Sequence, residues 1–226
     1  MDYTGKELEA FDRATVWRKY IYFLIKKFLK KNILEVGAGI GSFTKNYINN
    51  TKNITLTDLD TYNYDILKKK FSDLDVNIFQ KTVDKIDGNF ENILYLNVLE
   101  HIKDDVNEIN LALKKIVTGG HLIILVPAHQ ELYSNFDKEV GHYRRYNTDF
   151  FKKLNLQDAT IQKLYYLDIT GYFLYFINNF FFKQDVYPSN FKIFIWDKIF
   201  TPFTIILDKI FRYKFGKNVM CVIKKN

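Results

Sequence analysis

The chain has 226 residues, of which 47% are hydrophobic and 26% are charged. This length and composition exclude a disordered chain and fit a single globular domain with a substantial core. The formal net charge is +7, but the basic residues are spread among 26 acidic ones without a basic block, so we expect no nucleic-acid binding. The single cysteine, Cys221, permits no internal disulfide and fits a reducing compartment.

The sequence also bears on where the protein works. Residues 1–13 are too acidic and polar for a secretory signal. A stretch of about 20 uncharged apolar residues, which a transmembrane helix needs, does not occur in the sequence. We therefore expect a cytoplasmic protein.

The first half of the chain alternates between strand and helix patterns. Short apolar runs predict strands at 32–36, 54–57, 76–79, 92–96 and 121–126. Helical spacing of apolar residues predicts helices at 5–30, 42–49, 61–72 and 104–117, and Gly119-Gly120 separates the last of these from the next strand. This rhythm predicts a parallel sheet with helices on both faces.

After Pro127 the pattern changes to a polar and aromatic stretch. The predicted elements that follow are a helix from Thr148, a strand near 160–166, aromatic-rich helices at about 170–183 and 192–212, and a last strand at 218–224. Pro202 is expected to bend or split the second aromatic helix. We find no repeat or linker, and therefore predict one domain, 1–226, with a helical insert at about 170–212.

A glycine loop, Glu35-Val-Gly-Ala-Gly-Ile-Gly41, follows the first strand and opens a helix. Its glycines let the backbone approach a ligand, beside the free N–H groups of the helix start. A dinucleotide fingerprint needs a third glycine where this chain has Ser42, and the acidic Glu35 suits a cationic ligand. Asp58 ends the next strand and can accept hydrogen bonds from a ribose. Asp60 suits a helix N-cap better.

These motifs, followed by Asn97-Val-Leu-Glu-His-Ile102, resemble in order those of class I S-adenosylmethionine-dependent methyltransferases. Stretches within 127–146 and 216–218 resemble a bacterial and archaeal subgroup, some of whose members accompany cell-surface glycan synthesis. The resemblance implies S-adenosylmethionine as cofactor. It also implies a Rossmann-like α/β fold, with a doubly wound, mostly parallel seven-stranded sheet, an antiparallel last strand, an N-terminal helix and a C-terminal helical insert.

The resemblance also implies roles for the glycine loop and the acids near it. Gly37, Ala38 and Gly39 would lie against the methionine part of the cofactor. Glu35 would help to orient its ammonium group, and Asp58 would hold its ribose.

The remaining cofactor contacts implied by the resemblance lie further along the chain. Leu59 would lie against the adenine, and Thr82 and Val83 would border its edge. Many relatives have an acid near position 82, and Thr82 departs from that pattern. Asn97 and Val98 would sit near the sulfonium.

Methyl transfer mainly requires alignment of the nucleophile, the methyl group and the sulfur, and an oxygen acceptor benefits from a general base. We predict His142 and His101 as the base or as acceptor-binding groups. The predicted acceptor-binding residues are His129, Tyr133, Tyr143, Arg144 and Arg145, because aromatic faces stack on sugar rings and arginine pairs bind phosphate or carboxylate.

Each of these residues also has a purely structural interpretation. His101 can pack its helix start, Glu100 can be a solvated helix-start residue, and the arginine pair can bind surface acids. Gly41 is expected to permit close packing between helix and strand. Histidines and acids do not cluster at ligand spacing in the sequence, so we predict no metal site.

The aromatic C-terminal segments allow several interpretations. They can form a helical cap on the sheet, wall the acceptor pocket, or make a homodimer contact. They can also lie at the inner membrane face, where Lys209, Arg212, Lys214 and Lys217 would approach lipid head groups.

The sequence thus predicts an S-adenosylmethionine-dependent methyltransferase that methylates an oxygen of a sugar or cell-surface glycan intermediate by SN2 transfer. A phenolic or other small metabolite is the alternative acceptor. Two alternatives of another class are a nicotinamide-dependent oxidoreductase and a non-catalytic cofactor-binding module.

Overall fold

A computed structural model describes residues 6–181, 187 and 189–226, and its centre is a seven-stranded sheet. The strands are β1 (Asn32–Val36), β2 (Asn53–Thr57), β3 (Val76–Phe79), β4 (Phe90–Leu96), β5 (Ile116–Pro127), β6 (Ala159–Leu167) and β7 (Asn218–Lys225). Their order is β3-β2-β1-β4-β5-β7-β6. Only β7 runs antiparallel to its neighbours, so the predicted Rossmann-like sheet with an antiparallel last strand is confirmed.

Helices flank the sheet on both faces. They are α1 (Lys6–Phe11), α2 (Thr15–Ile25), α3 (Thr61–Lys70), α4 (Asp105–Lys114), α5 (Asn135–Glu139), α6 (Thr148–Lys152), α7 (Ile169–Phe181), α8 (Asn190–Ile195) and α9 (Thr201–Ile210). The last three form the insert between β6 and β7. None of the helices in these described stretches has the length and apolar character needed to cross a membrane.

The central strands β1, β4 and β5 are apolar on both faces because each face of the sheet carries a separate core. Adjacent residues of β1 show this, since Ile33 packs in one cluster and Leu34 in the other. In the same way Ile123 and Ile124 of β5 point to opposite clusters. Continuous apolar runs are typical of parallel strands that are covered on both faces.

Two predicted helices have a different form. The predicted helix 5–30 is two helices, α1 and α2. The Arg18 guanidinium donates to the carbonyl oxygens of Phe11 and Asp12, where α1 ends. The predicted helix 42–49 is two 3₁₀ turns, Thr44–Asn46 and Ile48–Asn50. Both Thr44 and Tyr47 point inward to a buried carboxylate, which shapes this short segment.

The glycine pair at 119–120 lies inside β5 and does not precede it, so the predicted start of this strand at residue 121 is wrong. A Cβ on Gly120 would lie 2.5 Å from the carbonyl oxygen of Glu91, so a close approach to the neighbouring strand requires glycine there.

The predicted split at Pro202 is confirmed, since α9 begins there after a π-helical turn at Trp196–Phe200. Residue 5 of the predicted N-terminal helix, and residues 182 and 183 of the predicted aromatic helix, lie outside the described residues.

A buried carboxylate in the insert caps the N-terminus of α2. Asp197 is fully buried and accepts hydrogen bonds from the backbone N–H groups of Val16 (3.1 Å) and Trp17 (2.8 Å). It also pairs with Lys198 at 2.8 Å. Position 14, where a capping side chain would stand, is Ala14, which makes no cap hydrogen bond. The insert therefore supplies the cap that α2 lacks.

We expect Asp197→Ala to lower the free energy of unfolding by about 2–3 kcal/mol, because it leaves two buried N–H groups unpaired. Urea denaturation measures this loss. Asp149→Ala is the control, since its pair with Lys152 is exposed and its removal should change stability by less than about 0.5 kcal/mol. Equal losses in the two variants would contradict the capping role.

Candidate active site

A large cavity lies at the carboxyl ends of the parallel strands. It is a cavity of about 850 Å³, which is the size of a cofactor pocket with room for a second molecule. Ligands of open α/β sheets bind at this edge. Leu8, Phe11 and Trp17 of the N-terminal helices cover one side of it, and Trp196 of the insert adjoins them.

The glycine loop after β1 forms the floor of the cavity. Gly37 has φ +62°, and a Cβ there would lie 2.6 Å from the Val98 side chain. Only glycine combines this backbone conformation with so close a neighbour. Gly41 has its own packing role, as predicted, since a Cβ there would meet the Phe71 ring at 2.5 Å.

A buried carboxylate lies at the end of β1. Glu35 accepts hydrogen bonds from Thr44 Oγ1 (2.6 Å) and the Tyr47 hydroxyl (2.5 Å). Burial raises the pKa of Glu35 to about 7, although both hydrogen bonds act in the opposite direction. Glu35 also lines the cavity, so its negative charge is available to a cationic ligand.

A second acid, directly after β2, binds the backbone of the glycine loop. Asp58 Oδ2 accepts a hydrogen bond from the Gly39 N–H at 2.8 Å, and Oδ1 accepts one from the Asp60 N–H at 3.0 Å. Burial raises the pKa of Asp58. Asp60 is the N-cap of α3 and accepts from the Asn63 N–H at 2.9 Å, so its predicted capping role is confirmed.

The other predicted cofactor residues line the same cavity. Leu59 is largely exposed at its rim, whereas Val83 is buried. Asn97 has φ 57°, in the left-handed region that asparagine tolerates. The cavity therefore brings together all ten predicted cofactor residues: Glu35, Gly37, Ala38, Gly39, Asp58, Leu59, Thr82, Val83, Asn97 and Val98.

Both predicted catalytic histidines also line the cavity and lie close to Glu100. His142 Nδ1 and Asp137 Oδ1 are 2.8 Å apart, and His142 Nε2 lies 3.9 Å from Glu100 Oε1. The rings of His101 and His142 meet edge to face with centroids 4.6 Å apart. Burial lowers the pKa of His101 to about 4, and the electrostatic influence of the neighbouring His142 ring acts in the same direction.

Asp137 is ionised despite its burial. Burial alone would raise its pKa, but hydrogen bonds from His142 and Arg145 outweigh that effect and hold the pKa well below its usual range. Arg145 Nε and Nη2 each lie 2.9 Å from one of the two Asp137 oxygens. An ionised Asp137 favours the His142 tautomer with its proton on Nδ1, which leaves Nε2 with a lone pair toward Glu100.

Glu100 was a weak candidate from sequence, and the interpretation of it as a solvated residue is wrong. It is 1% exposed, and neither carboxylate oxygen has a hydrogen-bond partner in the part of the chain described. Burial raises its pKa to about 7. Glu100, His101 and His142 offer ligand atoms within 4.8 Å of one another. The prediction of no metal site assumed that histidines and acids do not cluster. That assumption is wrong for the folded chain, because the loop after β5 brings His142 to Glu100.

The predicted acceptor-binding residues are more dispersed. Arg145 lines the cavity, but its guanidinium is committed to Asp137. Arg144 Nη1 bonds Asp105 at 2.5 Å, and the His129 ring stacks on Tyr166 with centroids 5.0 Å apart. The Tyr133 hydroxyl donates to the His142 carbonyl at 2.6 Å. These four side chains support the loop, while Tyr143 is exposed and, like Arg144, His129 and Tyr133, lies outside the cavity lining.

Sequence reasoning missed several lining residues besides Glu100. They include Phe136, Lys217, Trp17 and Trp196. Lys217 Nζ lies 5.3 Å from the Tyr175 ring centroid. The position of Lys217 directly before β7 was the available signal, because β7 runs antiparallel and starts at the edge where its neighbours end.

Solved structures resemble the whole fold. NodS from Bradyrhizobium japonicum, an N-methyltransferase in complex with S-adenosyl-L-homocysteine, is 12% identical, with a TM-score of 0.58 over 100% of this chain and 89% of that chain. Coclaurine N-methyltransferase, bound to N-methylheliamine and the same product, is 12% identical, with a TM-score of 0.63 over 92% and 72%. The plantazolicin methyltransferase BpumL is 14% identical, with a TM-score of 0.57 over 96% and 84%.

Sequence comparison identifies the family. A search of curated proteins finds no match to this chain. The family model described as a methyltransferase domain matches residues 9–192. Because this match spans far more than half of the chain, the protein belongs to the methyltransferase domain family.

Proposed function

We propose that this protein transfers the methyl group of S-adenosylmethionine to an oxygen of a small-molecule or glycan acceptor. The observation that carries the proposal is that two groups of residues line one cavity, and we call them its cofactor end and its acceptor end. Glu35, Asp58 and the glycine loop make up the first, and Glu100, His101 and His142, whose ligand atoms lie within 4.8 Å of one another, make up the second. Family membership and the fold support the same reaction class.

The residues at the first end fit S-adenosylmethionine. This cofactor is a cation with a ribose and an adenine, and it supplies the methyl group when bound. Glu35 offers a buried negative charge for its ammonium group, and Asp58 offers carboxylate oxygens for the ribose hydroxyls. The exposed Leu59 side chain provides an apolar surface for the adenine, and Thr82 and Val83 border its edge.

The groups at the second end fit an acceptor with a hydroxyl. Glu100 and His142 Nε2 present lone pairs toward the cavity, beyond Asn97 and Val98. In this account His101 and His142 contact the acceptor, and Asp137 is a positioning residue for His142. Their task is to hold the nucleophile in line with the methyl group, while Trp17 and Trp196 exclude water.

The class of acceptor has two candidates. A sugar or phenol hydroxyl can donate a hydrogen bond to the Glu100 carboxylate or to the lone pair of His142 Nε2. An amine is the second candidate, since NodS and coclaurine N-methyltransferase are both named N-methyltransferases. A nicotinamide-dependent oxidoreductase fits less well. The buried acid Glu35 stands beside the glycine loop, where a dinucleotide would place its negatively charged pyrophosphate.

The insert supports a membrane contact for this reaction. Helix α9 has the opposite polarity to an ordinary surface helix, because its polar side chains face the protein and its apolar side chains face outward. Its fully buried side chains are Thr201, Thr204 and Asp208, and its exposed ones are Phe203 (57%), Ile206 (57%) and Ile210 (65%). The buried polar groups are satisfied, for instance by the backbone N–H groups of residues 168 and 169, which donate to Asp208 at 3.1 Å.

The charges around this apolar face are of one sign. Exposed charged residues between 189 and 217 are all basic: Lys192, Lys198, Lys209, Arg212 and Lys214. The acids there, Asp197 and Asp208, are fully buried. Exposed apolar side chains bordered by basic ones match the surface of a bilayer that contains anionic lipid. We infer that the insert docks on such a surface, which would give access to a lipid-linked acceptor.

Asp58→Ala should weaken S-adenosylhomocysteine binding roughly 10–100-fold, because charge-assisted hydrogen bonds to the ribose are lost. Isothermal titration calorimetry measures the affinity, with NAD as the competing ligand. Asp104→Ala is the matched control, since Asp104 is the N-cap of α4, is not among the residues that line the cavity, and its loss should keep the affinity. Binding of NAD in preference, or no binding of S-adenosylhomocysteine to the unaltered protein, would sink the proposal.

Glu35→Gln should have opposite effects on stability and on cofactor binding at high pH. Folding raises the pKa of Glu35 from 4.5 to about 7, so the wild-type protein loses stability as the pH rises across that window. Glutamine does not titrate, so the thermal midpoint of the variant relative to wild type should rise from pH 5 to pH 8. Affinity for S-adenosylhomocysteine should fall about tenfold at pH 8. A relative midpoint that falls over this range contradicts the assignment.

The membrane contact predicts co-sedimentation with vesicles of phosphatidylcholine and phosphatidylglycerol, weakened by salt. Phe203→Ser with Ile206→Ser should reduce the partition coefficient at least tenfold, because both apolar side chains would leave the lipid. Phe23→Ser is the control, an equally exposed phenylalanine on α2. Unchanged sedimentation of the double variant, or a dimer in light scattering that the double variant abolishes, would refute docking on lipid.

A further inference from the structure

Glu100, His101 and His142 form a compact group at the acceptor end of the cavity. Their three ligand atoms lie within 4.8 Å of one another, and His142 Nε2 is 3.9 Å from Glu100 Oε1. Donor atoms around a metal ion bound at about 2.1 Å lie closer together than this. Side-chain movements on the order of 1 Å would bring the three atoms to such distances.

The state of Glu100 indicates that something positively charged belongs beside it. Its two carboxylate oxygens are buried without a hydrogen-bond partner among the residues described, and the side chain is 1% exposed. A buried carboxylate without partners is costly, and a native protein compensates that cost with a cation or donors. The Arg145 guanidinium, which acts electrostatically on Glu100, is already engaged by Asp137 through both Nε and Nη2.

His142 has the outer support that metal-binding histidines usually have. Metal ligands of this type donate their second ring N–H to a carboxylate, which fixes the tautomer and the ring orientation. Asp137 takes this position at 2.8 Å from His142 Nδ1, and Ser134 and Arg145 hold Asp137 in turn. Nε2 is thereby directed toward Glu100.

We propose that Glu100, His101 and His142 bind a divalent transition-metal ion of the zinc class. Two histidines and one carboxylate are a ligand set of catalytic zinc sites and leave a coordination position for another ligand. The role of the ion rests on the proposed function. With the ion bound, the two histidines would act on the acceptor through the metal and not by direct contact. The acceptor hydroxyl would take the open position and release its proton to solvent as it binds. Its oxygen would then attack the methyl carbon, while the carbon–sulfur bond breaks and its electron pair stays on sulfur.

Titration of the chelator-treated full chain with Co²⁺ tests the site, because ligand-field absorption in the visible region reports coordination directly. We expect bands that saturate at one ion per chain and disappear when Zn²⁺ is added. Glu100→Gln and His142→Asn should weaken binding at least tenfold. His121→Gln is the matched control, a histidine in the half of β5 that lies at the opposite edge of the sheet.

The outcomes separate this site from the methyltransferase function. Calorimetry with S-adenosylhomocysteine on the same samples reports the cofactor end alone, and Glu100→Gln should leave that affinity unchanged. Absence of Co²⁺ bands in the wild-type protein, or equal affinity in Glu100→Gln, overturns the metal site whether or not the cofactor binds. If Glu100→Gln loses its far-ultraviolet circular dichroism, His101→Gln decides the question by the same criterion.

Discussion

A single buried carboxylate, Asp137, holds the acceptor end of the cavity in shape. It accepts hydrogen bonds from Arg145 and Ser134 and pairs with His142, all within the loop that follows β5. The Tyr175 hydroxyl of α7 joins this network at Arg145 and Ser134, so the helical insert is tied to the same point. Because Asp137 is fully enclosed, loss of its charge would leave several buried donors without a partner.

The N-terminal helices and the insert depend on each other in a similar way. Asp197 caps α2, and Tyr20 of α2 donates to Asp208 of α9 at 3.0 Å. Trp17 and Trp196 meet at 5.6 Å between ring centroids, directly over the cavity. The cover of the cofactor end is therefore built from two segments about 180 residues apart in sequence. The polar side chains that join them, such as Asp197 and Asp208, lie inside the protein. This arrangement leaves the apolar side of α9 to face outward.

The sheet and the cofactor end could be predicted from sequence because their signals are local. Apolar runs gave the strands, and Glu35, the glycines and Asp58 stand at strand ends, where parallel topology brings them together. The acceptor end could not be predicted in the same way. Glu100 meets His142 only through the fold of a loop some 40 residues further on, and burial of a carboxylate has no sequence signal. Similarly, the reversed polarity of α9 was hidden by its Thr and Asp residues, which pair within the protein.

We propose that the cavity holds the cofactor with its sulfur facing Glu100 and His142. A crystal structure of the protein with S-adenosylhomocysteine tests it most directly. We expect the adenine beside Leu59, the ribose on Asp58, and the sulfur between the glycine loop and Asn97, with open space between it and His142. A ligand outside this cavity, or one whose sulfur is separated from Glu100 and His142 by protein, would contradict the account.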